Sequence, residues 1–475
     1  MTKKIEKKQI VKNISISLFA QLLSLLVSFI LSMVVPKYLE IYQYAYWHTF
    51  LLYVSYVGVL HFGLLDGLIL RYSQYDYEEL DKIRIRSQFV VLLGISFVAS
   101  IILVIFGLVN GGLTETLSLL VAFGVLTKNI FTYNSYLFQI TNRINKYVLV
   151  VIVQRLTYGI VVVLLLVFNQ QYFIWYCIAD LLGDFAGICL SLFSNRELHF
   201  GKVLKLKDNF EETWLNISSG FLLMLSNWSS MLLIGSAKII VEWKWGALIF
   251  GKTSFAFSMT NLFLTFVAAI SIVLFPSLKR MEQDTLPSFY KQFRDMLTPF
   301  LFWCLILYYP ESWLLEKWLP KYVSSLSCLG LLNPLIVYSS IISLLTNNYL
   351  KAFRKEMVLL VINVLTVLLA IGLYIMSAYW FENFFLLLIA VVLVVILRTI
   401  FSEIAVMKII HLDLKKEFLI EFLLTCAFLI STQCFTKIAG FFFYLTFMIV
   451  YTYINLNSII SIKRTVLNIL HIRKG

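Results

Sequence analysis

From Asn13 to Val35 the chain carries no Lys, Arg, Asp or Glu, and apolar runs of this kind recur along all 475 residues. A run of about 20 apolar residues is what crosses a bilayer as a helix: at about 1.5 Å per residue it covers roughly 30 Å of hydrocarbon with its backbone paired internally. The runs predict spans near 14–35, 44–69, 88–109, 116–140, 147–168, 172–194, 213–235, 247–275, 292–315, 323–347, 357–377, 383–404, 418–435 and 440–460. The expected fold class is an all-α integral membrane protein of about fourteen transmembrane helices.

Little chain is left for anything else. Hydrophobic residues make up 60% and charged residues 14%, against about 45–50% and about 25% in an ordinary soluble domain. The longest polar stretches, near Arg71–Gln88, Asn195–Glu212 and Pro276–Asp295, hold roughly 18–20 residues where a domain needs about 50. An attached ATPase, a cytosolic glycosyltransferase domain or a large external catalytic domain is thereby excluded. The six cysteines sit inside apolar runs with no metal-ligand spacing, so neither disulfides nor a metal site are expected. Lys3, Lys4, Lys7, Lys8 and Lys12 precede a first run that is too long for a signal-peptide core and lacks a cleavage site, which predicts a retained first span.

Charge sets the orientation. Roughly 29 of the 39 Lys and Arg fall in the N-terminal tail, the even-numbered connections and the C-terminal tail, and roughly 6 in the odd-numbered ones. The expectation is a multi-pass membrane protein with both termini in the cytoplasm. The net charge of +13 then reflects topology and attraction to anionic membrane lipids, with no nucleic-acid partner. Six spans return the chain to its starting side, so two six-helix lobes would share one orientation, as a parallel pseudo-twofold repeat. The predicted divisions are 1–209 (spans 1–6), 210–416 (spans 7–12) and 417–475 (two extra helices and a tail). Tyr136-Leu137 before the basic turn Asn142–Lys146, and Tyr349-Leu350 before Lys351–Lys355, are a faint trace of that repeat.

Gly246 to Thr253 fits the phosphate-loop pattern GxxxxGK[ST] letter for letter. A phosphate cradle needs a strand before it and an α/β sheet around it, whereas these letters open an apolar run, so the match is read as chance.

Ionisable groups at lipid depth need a partner, water or a route to the surface, because a charge at the bilayer centre costs about 2.5–3.5 kcal/mol on insertion scales. Lys128 lies about 18 Å and Arg155 about 12 Å from the nearer predicted cytoplasmic helix end; Asp180 and Asp184, four residues apart on one face, lie about 21 and 15 Å from theirs. Two readings follow from the matching depths. Either the aspartates neutralise Lys128 and Arg155 within the first lobe, or one or both cations attract an anionic substrate while the aspartates tune them or couple an ion. Lys252, about 8 Å inside the eighth span, has Asn227, Trp228 and Asn261 as polar company and is a candidate for substrate contact or for snorkelling. Arg398, five residues before Glu403, reads as a snorkelling anchor, and His48 and His61 as packing residues.

Three motifs carry a family likeness: Val35-Pro36-Lys37-Tyr38-Leu39 with Tyr44–Trp47, then Phe62-Gly63-Leu64-Leu65-Asp66-Gly67 through Tyr72, then Gly251-Lys252 through Phe257 with the helix ending Leu274-Phe275-Pro276-Ser277-Leu278. In these the chain resembles bacterial polysaccharide and O-antigen flippases of the multidrug/oligosaccharidyl-lipid/polysaccharide (MOP) exporter superfamily. The resemblance implies two six-helix lobes around a central cavity with two extra C-terminal helices. It implies a transporter, not an enzyme, that moves an oligosaccharide repeat unit on a polyprenyl diphosphate to the outer leaflet for surface polysaccharide synthesis. Polysaccharide polymerase and glycosyltransferases would be the associated proteins. Lys252 stands where the family would place a diphosphate-receiving cation. The first-helix arginines of related peptidoglycan-precursor flippases are absent, which argues against lipid II as substrate. A multidrug exporter of the same fold, and a membrane polymerase or ligase, are the rival readings. No cofactor is expected, and the coupling ion, H+ or Na+, stays open.

Overall fold

The computed structural model describes residues 20–75, 77–279, 285–412 and 415–454. The predicted basic N-terminal tail and the C-terminal tail lie outside these residues. Among the described residues the chain is helical and loop, with no strand. Eight helices among the described residues are long and apolar enough to cross a membrane, or ten if each of two bent pairs is one span. The chain divides into two compact units, Met1–Leu232 and Leu233–Gly475.

In the first unit, α1 (Ala20–Tyr38) holds a π-turn at Ile30–Val34, where the Val35 amide reaches back to the Ile30 carbonyl. The widened turn accommodates Pro36, which lacks an N–H and would otherwise crowd the preceding turn. Helix α2 (Ile41–Ser55) leads through a tight turn into α3 (Leu64–Tyr72), and the pair bends by 59°. The bend is made at Phe62 and Gly63, both left-handed, with φ of 50° and 86°. Then follow α4 (Lys82–Asn110), α5 (Gly112–Ile140), α6 (Ile144–Val167), α7 (Phe173–Ser194) and the single turn α8 (Arg196–His199). Asp81 caps α4 by accepting from the amides of Ile83 and Arg84. Leu64, Leu65, Leu68, Ile85, Leu92 and Leu137 join α3, α4 and α5 in one apolar core. Polar groups inside it are matched in pairs: the Asn129 amide donates to Ser96 at 3.0 Å and the Ser100 hydroxyl to the Ala122 carbonyl at 2.8 Å.

Helix α9 runs as one line of helical residues, Leu206–Lys279, with a single non-helical residue, Gly246 at φ 76°. The Lys238 ammonium lies 4.8 Å from the Phe257 ring centre. Nineteen residues of straight helix would set the two about 28 Å apart along the axis, so the chain folds back on itself at Gly246. Within the second unit, segments 233–245 and 247–279 are therefore two antiparallel arms, the first being the end of the helix that starts at Leu206. Within the first unit, the early part of α9 meets the α2–α3 break backbone to backbone. A Cβ on Gly67 would fall 1.8 Å from the Asn216 carbonyl oxygen, and one on Gly220 2.1 Å from that of Gly63.

The second unit continues with α10 (Leu286–Cys304), which contains Pro299, and α11 (Tyr308–Trp318). Next come α12 (Pro320–Leu332) and α13 (Pro334–Ala352), bent by 41°, then α14 (Glu356–Trp380), α15 (Phe384–Ile410), α16 (Lys415–Gln433) and α17 (Lys437–Ile454). The predicted spans 292–315, 418–435 and 440–460 thus coincide with helices, but with helices broken at Leu305–Leu307, or short and polar at their ends. Those three, together with predicted spans 213–235 and 247–275, which count as the one continuous stretch Leu206–Val267, are why the spans certified by length and composition among the described residues number eight to ten rather than fourteen.

The two basic turns close in the same way. Asn142 and Arg354 are left-handed, and the amides of Arg143 and Lys355 reach the Phe138 and Leu350 carbonyls at 2.8 Å in each case. This geometry sets Leu137 against Tyr349, one residue away from the match that the letters suggest.

Candidate functional site

In the first unit the deep charges meet. Lys128 on α5 places its Nζ 2.8 Å from Asp180 Oδ2 and 2.7 Å from Asp184 Oδ2. Both aspartates project from one face of α7 because they are one helical turn apart. From α6, the Gln154 amide donates to the other oxygen of Asp184 at 3.2 Å. Asp180 and Asp184 are buried, and the Lys128 side chain keeps 25% of its exposure. One cation is thus held by two carboxylates.

Arg155 does not join them. Its neighbour Gln154 occupies the face of α6 that looks at Asp184, and a step of one residue turns a side chain by about 100°. The Arg155 side chain is half-buried and senses the hydroxyls of Tyr147 and Tyr158. Among the described residues no carboxylate pairs with it. Asn227 is likewise committed elsewhere, donating its amide to buried Asp66 at the start of α3.

Sequence reasoning overlooked a second polar centre in this unit, on Glu212. Glu212 Oε1 accepts from Arg71 Nη1 at 2.5 Å and from the Tyr72 hydroxyl at 2.7 Å, and Oε2 faces Arg84 at 3.4 Å. Gln88 on α4 bonds Asn209 and Thr213 at 3.1 and 3.2 Å. These bonds pin the start of α9 to α3 and α4. No spacing rule finds this set, because its members lie well over a hundred residues apart.

In the second unit, Lys252 sits about 9 Å along its helix from Gly246, in the half-buried range, beside Cys328 and with no ion pair among the described residues. Asn261 lies two to three turns further on and is exposed. Lys238, about 12 Å from Gly246 on the other arm, contacts the Phe257 ring and likewise has no carboxylate partner among the described residues. The sequence reading ended the seventh span at residue 235 and so left Lys238 in a connection. The helix runs on to Trp245 and carries Lys238 into the span. Residues 247–253 are helical, so the Gly246–Thr253 letters form no phosphate loop.

Arg398 is no snorkelling anchor. It is buried, with Nε bonded to Asn363 on α14 at 3.0 Å, and Glu403 pairs with a different arginine, Arg294. His61 is a packing residue, its Nδ1 accepting from the Gly63 amide at 3.3 Å. Among the described residues no group of three or more His, Cys, Asp or Glu side chains is placed to hold a metal ion.

No family model matches the chain, and no curated protein matches its sequence. Solved structures do. A lipid II flippase, MurJ, in an inward closed conformation aligns with a TM-score of 0.62 at 15% identity, covering 93% of this chain and 99% of the flippase. An inward-facing multidrug resistance MATE family transporter of the MOP superfamily gives 0.61 at 13% identity over 82% and 94%. A MOP superfamily transporter from Pyrococcus furiosus, described as having a binding pocket of reversed polarity, gives 0.56 at 10% identity over 85% and 97%. The fold is that of MOP-superfamily transporters, and the chain is a multi-pass membrane protein.

Proposed function

We propose that the chain is a flippase that moves a polyprenyl-diphosphate-linked oligosaccharide repeat unit across the bacterial cytoplasmic membrane by alternating access, for surface polysaccharide synthesis. The observation that carries this reading is Lys252 together with Lys238: two cations on facing arms at similar depth, neither neutralised by a carboxylate among the described residues. A diphosphate supplies the negative charge they lack, as a point-charge contact of the kind lysine makes with phosphate. Asn261 on the same arm offers an amide for sugar hydroxyls. Glycosyltransferases and a polysaccharide polymerase would supply and consume the substrate.

Export of cationic drugs is the rival on the same fold, and it needs free carboxylates. In the first unit the deep carboxylates Asp180 and Asp184 are already occupied by Lys128. Lys128 is for the same reason a poor receiver of a diphosphate, and its cluster suits packing or ion coupling, whereas Arg155 remains open to substrate. The test is a deletion strain. It should accumulate lipid-linked repeat units on the cytoplasmic leaflet and lose surface glycan, with unchanged sensitivity to cationic dyes. Normal surface glycan with altered dye export would refute the reading.

A further inference from the structure

The second unit contains a charge cluster that substrate binding does not use. Arg294 on α10 is 2% exposed and lies between Glu403 on α15 and Glu421 on α16, which are 0% and 4% exposed. Counted along their helices, the three sit about 9–12 Å inside the neighbouring helix ends at Leu286, Ile410 and Lys415. They are closed off by protein.

The two glutamates are not equivalent. Glu403 is fully engaged: its Oε1 accepts from Arg294 Nε at 2.6 Å and from the Tyr290 hydroxyl at 3.0 Å, and its Oε2 accepts from Arg294 Nη2 at 3.0 Å. That is a two-pronged guanidinium–carboxylate pair, with its charges cancelled. Glu421 shares only the remaining capacity of Nη2, at 2.6 Å to Oε1. Its Oε2 accepts no hydrogen bond from any described residue. One guanidinium therefore faces two carboxylates, and the surplus negative charge falls on Glu421, which holds a single side-chain hydrogen bond where Glu403 holds three.

Among the described residues, the surroundings supply no other cation to Glu421. Arg398, on the same helix as Glu403, is turned to Asn363 on α14. From α13, the Tyr338 hydroxyl bonds the Glu421 backbone carbonyl and Thr425. Tyr451 on α17, Glu417 one turn earlier on α16 and Asp295 next to Arg294 on α10 add only neutral or negative groups, and Lys291 acts on Asp295. An uncompensated carboxylate in such a place is strongly disfavoured, and the group relieves it by taking a proton.

We propose that Glu421 is a proton-binding site: an O–H bond forms on Oε2 with a proton from water, and this neutral acid is what lets α16 seat against α10 and α15. The bound cation is H+ itself, and no other group changes charge. The site thus ties the seating of the penultimate helix to proton uptake, whatever the substrate.

Infrared spectra of the purified full chain in lipid nanodiscs at neutral pH test this. The wild type should show a carbonyl stretch of a protonated carboxylic acid that is missing from Glu421→Gln and retained in Glu316→Gln. Glu403→Gln should also lose it, because Arg294 is then left with Glu421 alone and ionises it. A band that survives Glu421→Gln, or that persists in Glu403→Gln, overturns the proposal. Exchanging choline for Na+ at fixed pH should leave the band in place, and its loss would assign the site to a metal cation instead. Glu421→Gln mimics the neutral acid and should keep wild-type abundance and melting temperature. A clear drop in either would mean that Glu421 is ionised and paired, which also overturns the assignment.

Discussion

Lys128 stands between Asp180 and Asp184 with its ammonium 2.8 and 2.7 Å from one oxygen of each, and so bridges two helices, α5 and α7, across their buried faces. Lys128→Ala should leave two buried carboxylates uncompensated. Removing one member of a buried pair costs about 3–5 kcal/mol, and the 25% exposure of the lysine side chain lowers the expectation to about 1–3 kcal/mol. Membrane abundance and melting temperature should fall together, and adding Asp180→Asn and Asp184→Asn to Lys128→Ala should recover most of the loss.

Lys252→Gln and Lys238→Gln should behave in the opposite way. Neither removes an ion pair, so protein level should stay near wild type while translocation of the lipid-linked saccharide drops about tenfold or more, one phosphate contact corresponding to about 1.4 kcal/mol or above. Arginine at either position should retain more transport than glutamine. Full activity in both glutamine variants would remove the pair from the substrate site.

Gly220→Ala should abolish transport or folding, because its Cβ would lie 2.1 Å from a backbone oxygen that cannot swing aside. Gly372→Ala, with nothing within 4 Å of the added carbon, is the neutral control. Equal effects of the two substitutions would show that the close approach of the early part of α9 to the α2–α3 break does not matter.

His199 lies outside the spans, buried edge-on against Phe89 and near Tyr133, with Nδ1 on the Asn195 carbonyl and Nε2 without a partner. Burial lowers its pKa. The folded state therefore prefers the neutral ring, and its contribution is complete above the unfolded value of about 6.5 and is lost as pH falls below it. Thermal melts from neutral pH to about pH 5 should show a decline that His199→Gln flattens.

Topology gives a further check. A cysteine placed at Gly201 should be shielded from impermeant reagents in intact cells, and one at Glu382 should be labelled. The reverse pattern would invert the orientation read from the charge distribution.

Apolar runs made the helical fold legible, and depth arithmetic along the helices was enough to bring Lys128, Asp180 and Asp184 together, because residues at one depth on neighbouring helices tend to meet. Rotation about the helix axis was not legible. Arg155 has the right depth and the wrong face, with Gln154 in its place. Lys238 was hidden because Ser236 to Gly246 is polar enough to read as a connection, yet its residues stay helical up to Gly246. Arg294 was hidden by distance in sequence, since its partners follow 109 and 127 residues later.

On the orientation predicted from the charge distribution the turn at Gly246 faces outward, and this has a practical side for anyone who wants to see this protein from outside the cell. A helical hairpin closed by one residue offers almost no loop for a protease to cut or an antibody to grip, and an epitope inserted there would have to unwind one of the arms. The turn at Glu382 is the better place. Lys244 ties Glu382 to the same end of the molecule at 2.8 Å, and the neighbouring Trp380 and Phe381 are exposed. A tag displayed beside Glu382 should report surface delivery of the protein while leaving the Gly246 hairpin intact.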